Sequence, residues 1–166
     1  RNAIPPISFA IETHDNFHRE VAYIPRWDVG VDNKGVTKIE EAMTEPMMKM
    51  LARCSDYEFT SDEMLAIATK EVGDLVNVTH SNPKESLLEI SAHSVSKGAT
   101  LAKIAERLGL TADDCVSFGD NPNDFSMLSW TSRSWAMADG HPDAQKYAKS
   151  VALPHQEDGV AIVIEE

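Results

Sequence analysis

The sequence predicts an α/β protein in two parts: an α+β domain over residues 1–91, then part of a parallel, Rossmann-like sheet over residues 92–166. Three observations carry that reading. In the first part, short apolar runs alternate with turn-forming clusters, as antiparallel strands do. After Ala92 the rhythm changes to helix, strand, helix, strand, the pattern of βαβ units. Finally, the apolar run 115–118 ends in Gly119-Asp120, which delivers a carboxylate to the C-terminal edge of a parallel sheet, where open α/β folds place their sites.

In chain order, residues 7–12 and 19–24 read as strands joined into a hairpin by the polar His14-Asp15-Asn16. Residues 40–53 read as a helix whose stripe of Met43, Met47, Met50 and Leu51 fills a core, a binding surface being the alternative. Thr60-Ser61-Asp62-Glu63 is the pattern of a capping box, opening a helix that runs to about Gly73. Residues 75–79 and 86–91 are two further strands, connected through Ser81-Asn82-Pro83-Lys84. Residues 96–109 form a helix, with Leu101, Ile104, Ala105 and Leu108 on one face and Gly109 as its stop. Strands follow at 115–118, 135–137 and 151–153, with helices between them, one beginning after His141-Pro142, and a last turn after Gly159. Three short strands are few for a parallel sheet, whose strands are buried on both faces, so further strands are expected beside them.

The stretch Asp120-Asn121-Pro122-Asn123-Asp124 says most about chemistry. Two carboxylates across a tight turn suit a hard cation such as Mg²⁺, which keeps several waters and takes one or two protein carboxylates. Phosphate chemistry is the natural partner of such a cation. The competing readings are a plain turn, which Asn, Asp and Pro all favour, and Asp124 acting only as a helix cap. An EF-hand loop is excluded, because Phe125 and Thr131 stand where that loop needs Gly and Glu. Lys97 falls in the first turn of its helix, where a cation opposes the macrodipole. That placement makes sense beside a carboxylate or a phosphate; a solvated surface lysine is the alternative.

Val95-Ser96-Lys97-Gly98, Phe118-Gly119-Asp120-Asn121-Pro122-Asn123-Asp124, Met127-Leu128, Ala136-Met137 and Glu157-Asp158-Gly159-Val160-Ala161 follow one another in an order and spacing that resembles the haloacid dehalogenase (HAD) superfamily, in its Cof-type branch of sugar-phosphate phosphatases. The resemblance is close over residues 92–166 and looser over 1–91, which it identifies with the inserted α+β cap that sets substrate specificity. It implies that Lys97 holds the phosphoryl group and the nucleophile, that Asp120 is a Mg²⁺ ligand, that Asp124 orients Lys97 and the metal shell, and that Asn123 is the amide near the bound phosphate. Arg26, Trp27 and His80 are the candidate specificity residues of the cap: His80 stands at a hairpin tip, where a solvated turn is the plainer reading, and Arg26-Trp27 could pack a substrate sugar or only staple a loop. Two features depart from the family's pattern: Asp139-Gly140 where Asn-Ala is usual, and Trp135 in place of a smaller residue.

The family's nucleophilic Asp-x-Asp motif is not found; Asp28-Val29-Gly30-Val31-Asp32 and Asp113-Asp114 lack its apolar strand and its following Thr or Val. The chain also starts Arg1-Asn2-Ala3, without Met, so the expectation is a cap plus the second half of a catalytic domain, inactive by itself and prone to self-associate through an open sheet edge. The implied reaction is hydrolysis of a small phosphorylated metabolite through an aspartyl-phosphate. Phosphotransfer to another acceptor is one alternative and a non-catalytic binding or regulatory module is a second.

With 42% apolar residues the chain can bury a core, and its net charge of -12 argues against nucleic acid, whose binding needs a cationic surface. It has no apolar run of 18 residues or more and no charged-then-apolar leader pattern, so a membrane span is not expected. Cys54 and Cys115 lie in different halves and read as free thiols of a cytoplasmic protein. The six histidines show no metal-ligand spacing.

Overall fold

The computed structural model describes residues 1–166 apart from 27–32, 55, 57 and 166. It divides into two units, Arg1–His93 and Ser94–Glu166. In the first, β1 (Ile7–Glu12), β2 (Phe17–Arg19), β3 (Lys49–Cys54), β4 (Val76–Thr79) and β5 (Leu87–Ala92) form an antiparallel sheet in the order β2-β1-β3-β5-β4. The register, with Phe9 opposite Ala52 and Ala52 opposite Leu88, lines up the apolar members of each strand on one face. There they pack with Met64 of helix α1 (Ser61–Val72), and Ala52, Met64 and Leu88 are fully buried. The opposite register, Ala10 to Leu51 to Glu89 with Arg53 beside Leu87, makes the other face half polar, and Phe17 and Tyr23 pack across it.

Helix α1 starts where its capping box says it should. Thr60 accepts the Glu63 N–H at 3.2 Å and the Glu63 carboxylate accepts the Thr60 N–H at 2.8 Å. The helix expected over 40–53 does not form. Only Ile39–Ala42 makes a 3₁₀ turn, and Lys49–Cys54 is the central strand β3. Pro46 interrupts any helix through this stretch, and pairing with both β1 and β5 outweighs the local helical spacing. Of that stripe Met43 and Met47 are exposed and fill no core, whereas Met50 packs against Ile11 and Ile39 and Leu51 is buried with Ala10 and Tyr23.

In the second unit β6 (Val116–Gly119), β7 (Arg133–Met137) and β8 (Ser150–Ala152) form a parallel sheet in that order, with helices α2 (Lys97–Arg107), α3 (Phe125–Trp130), α4 (Ala144–Tyr147) and α5 (Gly159–Glu165). Leu128, Ala136 and Ala144 make its core, with Phe125 stacked on Tyr147 at 4.3 Å. Helix α2 lies against α3 through small residues, and of its expected stripe only Ala105 is fully buried and Leu101 half-buried. Gly98 and Ala105 are buried while Ile104 and Leu108 are exposed. A Cβ on Gly98 would stand 2.3 Å from the Ser126 carbonyl oxygen, so only glycine allows this approach, and the Gly98 N–H donates to Ser126 Oγ at 3.0 Å. Among the described residues β6 pairs only with β7, which leaves its other edge open.

The strand expected over 19–24 ends at Arg19 because Glu20 turns inward. Its carboxylate, almost wholly buried, accepts the Phe9 N–H at 2.9 Å and the Ile39 N–H at 3.0 Å and pairs with the Arg1 guanidinium, which lies 4.6 Å over the Phe9 ring. One side chain thus ties β1, the turn after β2 and the 3₁₀ segment together. Burial alone would raise the Glu20 pKa, but Arg1 and the two backbone donors outweigh it and hold the carboxyl below its usual value. A depressed acid stabilises the fold above the unfolded carboxylate pKa of about 4.3 and loses that contribution as pH falls through the folded value. Glu20→Gln should therefore destabilise the chain at neutral pH by about 1–3 kcal/mol, one buried N–H being left unpaired. Urea titrations at pH 7 and in mild acid should show the gap to wild type narrowing in acid; a gap that stays constant would mean that the charge of Glu20 contributes nothing.

Candidate active site

The second unit gathers its acids at the C-terminal end of β6. Gly119 closes the strand, Asp120 follows it, and the 3₁₀ turn Pro122–Asp124 leads directly into α3. Asp124 folds back beneath the turn. Its Oδ2 accepts the backbone N–H groups of Asp120 at 3.0 Å and Asn121 at 3.2 Å, and its Oδ1 accepts Lys97 Nζ at 2.5 Å. The carboxylate is buried, whereas the Lys97 side chain is 49% exposed, so the lysine approaches from solvent and keeps donors for another partner. Ser96 caps α2 by accepting the Ala99 N–H at 3.1 Å, which fixes Lys97 in the first turn, and Asp124 supplies the anion that this placement calls for.

Two glycines leave room for this arrangement. A Cβ on Gly119 would lie 2.5 Å from Cβ of Asp124, and one on Gly140 would lie 2.8 Å from the Asp120 carbonyl oxygen. The Gly140 departure from the family's pattern is thus accounted for by the loop after β7 pressing on Asp120. That loop is pinned by the His141 N–H donating to the Asp120 carbonyl at 2.6 Å. The other departure, Trp135, stacks on Phe118 at 5.4 Å across β6 and β7.

Asp120 itself points outward. Its Oδ2 accepts Asn121 Nδ2 at 2.6 Å, and its pKa is raised, first by burial and then by the neighbouring Asp124. A partly exposed carboxylate that is short of positive charge is a fitting oxygen donor for a hard divalent cation. Asn123 is half-buried on the 3₁₀ turn beside it.

The pairing of Asp139 with His155 went unread in the sequence. His155 Nδ1 lies 2.8 Å from the Asp139 carboxylate, whose hydrogen bond raises the imidazole pKa, and His155 Nε2 stands 4.0 Å from Asp120 Oδ2. The Asp139 departure was the one available signal, since an acid in place of an amide calls for a cationic partner.

Of the expected specificity residues in the first unit, Arg26 is half-exposed and pairs with Glu85, and Trp27 lies outside the described residues. His80 is 1% exposed and bonds Asp62 Oδ1 of α1 through Nε2 at 2.7 Å. It is a buried link between α1 and the end of β4 and not the surface turn residue expected. Asp28 to Asp32, weighed as an imitation of the nucleophile motif, also lies outside the described residues. No helix among the described residues is long and apolar enough to cross a membrane.

Comparison with known proteins identifies the family. Residues 14–164 match the family model of haloacid dehalogenase-like hydrolases. The chain is 32% identical over 89 residues to the 5-amino-6-(5-phospho-D-ribitylamino)uracil phosphatase of Bacillus subtilis, which covers 54% of this chain and 35% of that protein. It is 30% identical over 99 residues to the B. subtilis phosphatase YwpJ, covering 60% and 35%. Among solved structures, a HAD subclass IIB sugar phosphatase superposes with a TM-score of 0.76 at 20% identity over 97% of this chain and 60% of the other. A haloacid dehalogenase-like hydrolase from B. subtilis gives 0.74 at 20% identity over 96% and 65%. The chain therefore spans about a third of the length of these curated relatives. Matched by the family model over most of its length, it belongs to the haloacid dehalogenase-like hydrolases.

Proposed function

We propose that the second unit is the phosphate-handling half of a Mg²⁺-dependent phosphatase acting on a small phosphomonoester, a sugar phosphate being the class that the similar subclass IIB sugar phosphatase suggests. The observation that carries this reading is the half-exposed Lys97 held at 2.5 Å by a buried Asp124, next to the outward carboxylate of Asp120. Phosphoryl transfer leaves the protein little covalent work, so positioning and electrostatics decide the rate. Asp124 fixes Lys97 so that its remaining N–H donors face a phosphoryl oxygen. Asn123 offers its amide to the same group. Asp120 would hold the Mg²⁺, which when bound would neutralise charge on the transferring phosphoryl oxygens. The attacking carboxylate, which forms the aspartyl-phosphate, comes in this reading from a residue outside Arg1–Glu166. The free Cys54 and Cys115 fit a reducing, cytoplasmic setting.

The test is activity in a polypeptide that also supplies the attacking carboxylate. Lys97→Ala should lower kcat for a small aryl phosphate by about 10²-fold or more, the loss expected for one electrostatic stabiliser, with little change in folding. Asp124→Ala should lower kcat to a similar degree by releasing Lys97 and should also cost stability, because the Asp120 and Asn121 N–H groups lose their acceptor. Arg26→Ala should reorder preference among sugar phosphates and leave the aryl phosphate nearly untouched, the leaving group being chosen by the first unit. Wild-type turnover in Lys97→Ala would overturn the assignment, and a wild-type polypeptide inactive on every phosphomonoester would favour a binding module.

The chain alone should be inactive and should associate through the open edge of β6, whose backbone groups seek partners. Sedimentation velocity would detect this as concentration-dependent oligomers. A monodisperse monomer that hydrolyses phosphomonoesters would contradict both expectations.

A further inference from the structure

The ends of β7 and β8 bring a histidine to the Asp120 corner. The Ala138 N–H donates to the Ala152 carbonyl at 3.0 Å just beyond the paired strands, which sets Asp139 beside the 3₁₀ turn His155–Glu157. Asp139 Oδ1 accepts the His155 backbone N–H at 3.2 Å, and both oxygens of that carboxylate lie 2.8 Å from His155 Nδ1. An ionised carboxylate only accepts, so Nδ1 carries the proton. In the neutral ring the lone pair is then on Nε2, and Nε2 is the atom that stands 4.0 Å from Asp120 Oδ2.

A carboxylate that fixes one imidazole nitrogen and so presents the other is the arrangement that orients metal-ligating histidines. Two atoms that each sit about 2.1 Å from one ion are at most about 4.2 Å apart, and the 4.0 Å between Nε2 and Oδ2 falls within that reach. Asp120 Oδ2 has a second lone pair beyond the one taken by Asn121. As a plain ion pair the same approach would contribute little, since both side chains are more than a third exposed.

We propose that His155 is a second protein ligand at the Asp120 corner, through which the corner takes a first-row transition cation such as Zn²⁺ more tightly than Mg²⁺. Mg²⁺ uses oxygen donors and keeps its waters, so it gains nothing from an imidazole, which Zn²⁺ favours. Zn²⁺ therefore displaces Mg²⁺ from this corner. Asp139 acts through His155 and is a positioning residue: the amide usual at its place could accept the Nδ1 proton but would carry no charge to make the ring a stronger donor. The inference rests on the reading of Asp120 as a cation ligand and adds which cation the corner selects.

The test is a metal titration of the ¹⁵N-labelled chain at about pH 8, above the ordinary histidine range, reading the His155 ring nitrogens together with the Asp120 and Asn121 amides. Zn²⁺ should move all of them in one saturating step, and Mg²⁺ should move the amides alone. His155→Asn should weaken Zn²⁺ at the corner about tenfold or more while changing Mg²⁺ by less than about twofold. Asp139→Asn should weaken Zn²⁺ about tenfold, the loss expected for an outer partner of a ligand, again with Mg²⁺ nearly unchanged; a merely structural link would move both cations together. Unmoved His155 ring nitrogens, or Zn²⁺ binding equally well to His155→Asn, would overturn the proposal and leave the reading of Asp120 standing. Zn²⁺ captured only by other histidines or by the thiols would overturn it as well. If the Asp120 and Asn121 amides answer neither cation, the reading of Asp120 fails and the proposal falls with it.

Discussion

The carboxylate of Asp124 is the point on which the geometry of the second unit's candidate site depends. Buried under the turn after β6, it holds two backbone N–H groups that shape the Asp120–Asn121 corner and one ammonium that reaches in from α2. A buried carboxylate is tolerable only when paired and hydrogen-bonded, so the fold cannot keep Asp124 without also placing Lys97 and the Asp120 corner. The close contacts at Gly98, Gly119 and Gly140 follow from the same demand, since each lets a backbone or side chain approach this corner at a distance that any Cβ would block. Sheet, turn and helix start are therefore arranged around one ion pair.

How much of this was legible depended on whether the signal was local. The capping box at Thr60 and Glu63 and the hairpin at His14 to Asn16 are written in adjacent residues, and they were read correctly. The change to a βαβ rhythm after Ala92 was legible for the same reason. The stretch 40–53 misled because its methionines recur at helical spacing, while its strand character is imposed by β1 and β5 on either side. Glu20 looked like a strand residue because nothing nearby reveals that Phe9, Ile39 and Arg1 converge on it. His155 was missed for a like reason: its partner Asp139 is sixteen residues away, and the two meet only once β7 and β8 lie side by side.

The first unit uses its sheet differently. One face is given over to packing with α1, so the other can hold Lys49, Arg53, Glu85 and Glu89, charges that a core would reject. Their mutual pairing keeps them on that face without a bulk electrostatic field. An acidic chain of net charge -12 can in this way still carry cations paired with carboxylates on one sheet face. Charge in this protein is organised residue by residue.

The central claim is that the Asp120 corner, braced by Asp124, is built to hold a hard cation. Mg²⁺ titration of the ¹⁵N-labelled chain tests it most directly. Millimolar Mg²⁺ should move the amides of Asp120 and Asn121, weakly because a single carboxylate is a poor octahedral site, and Asp120→Asn should remove the response. Shifts confined to other acidic surfaces, or an unaltered response in Asp120→Asn, would contradict the account.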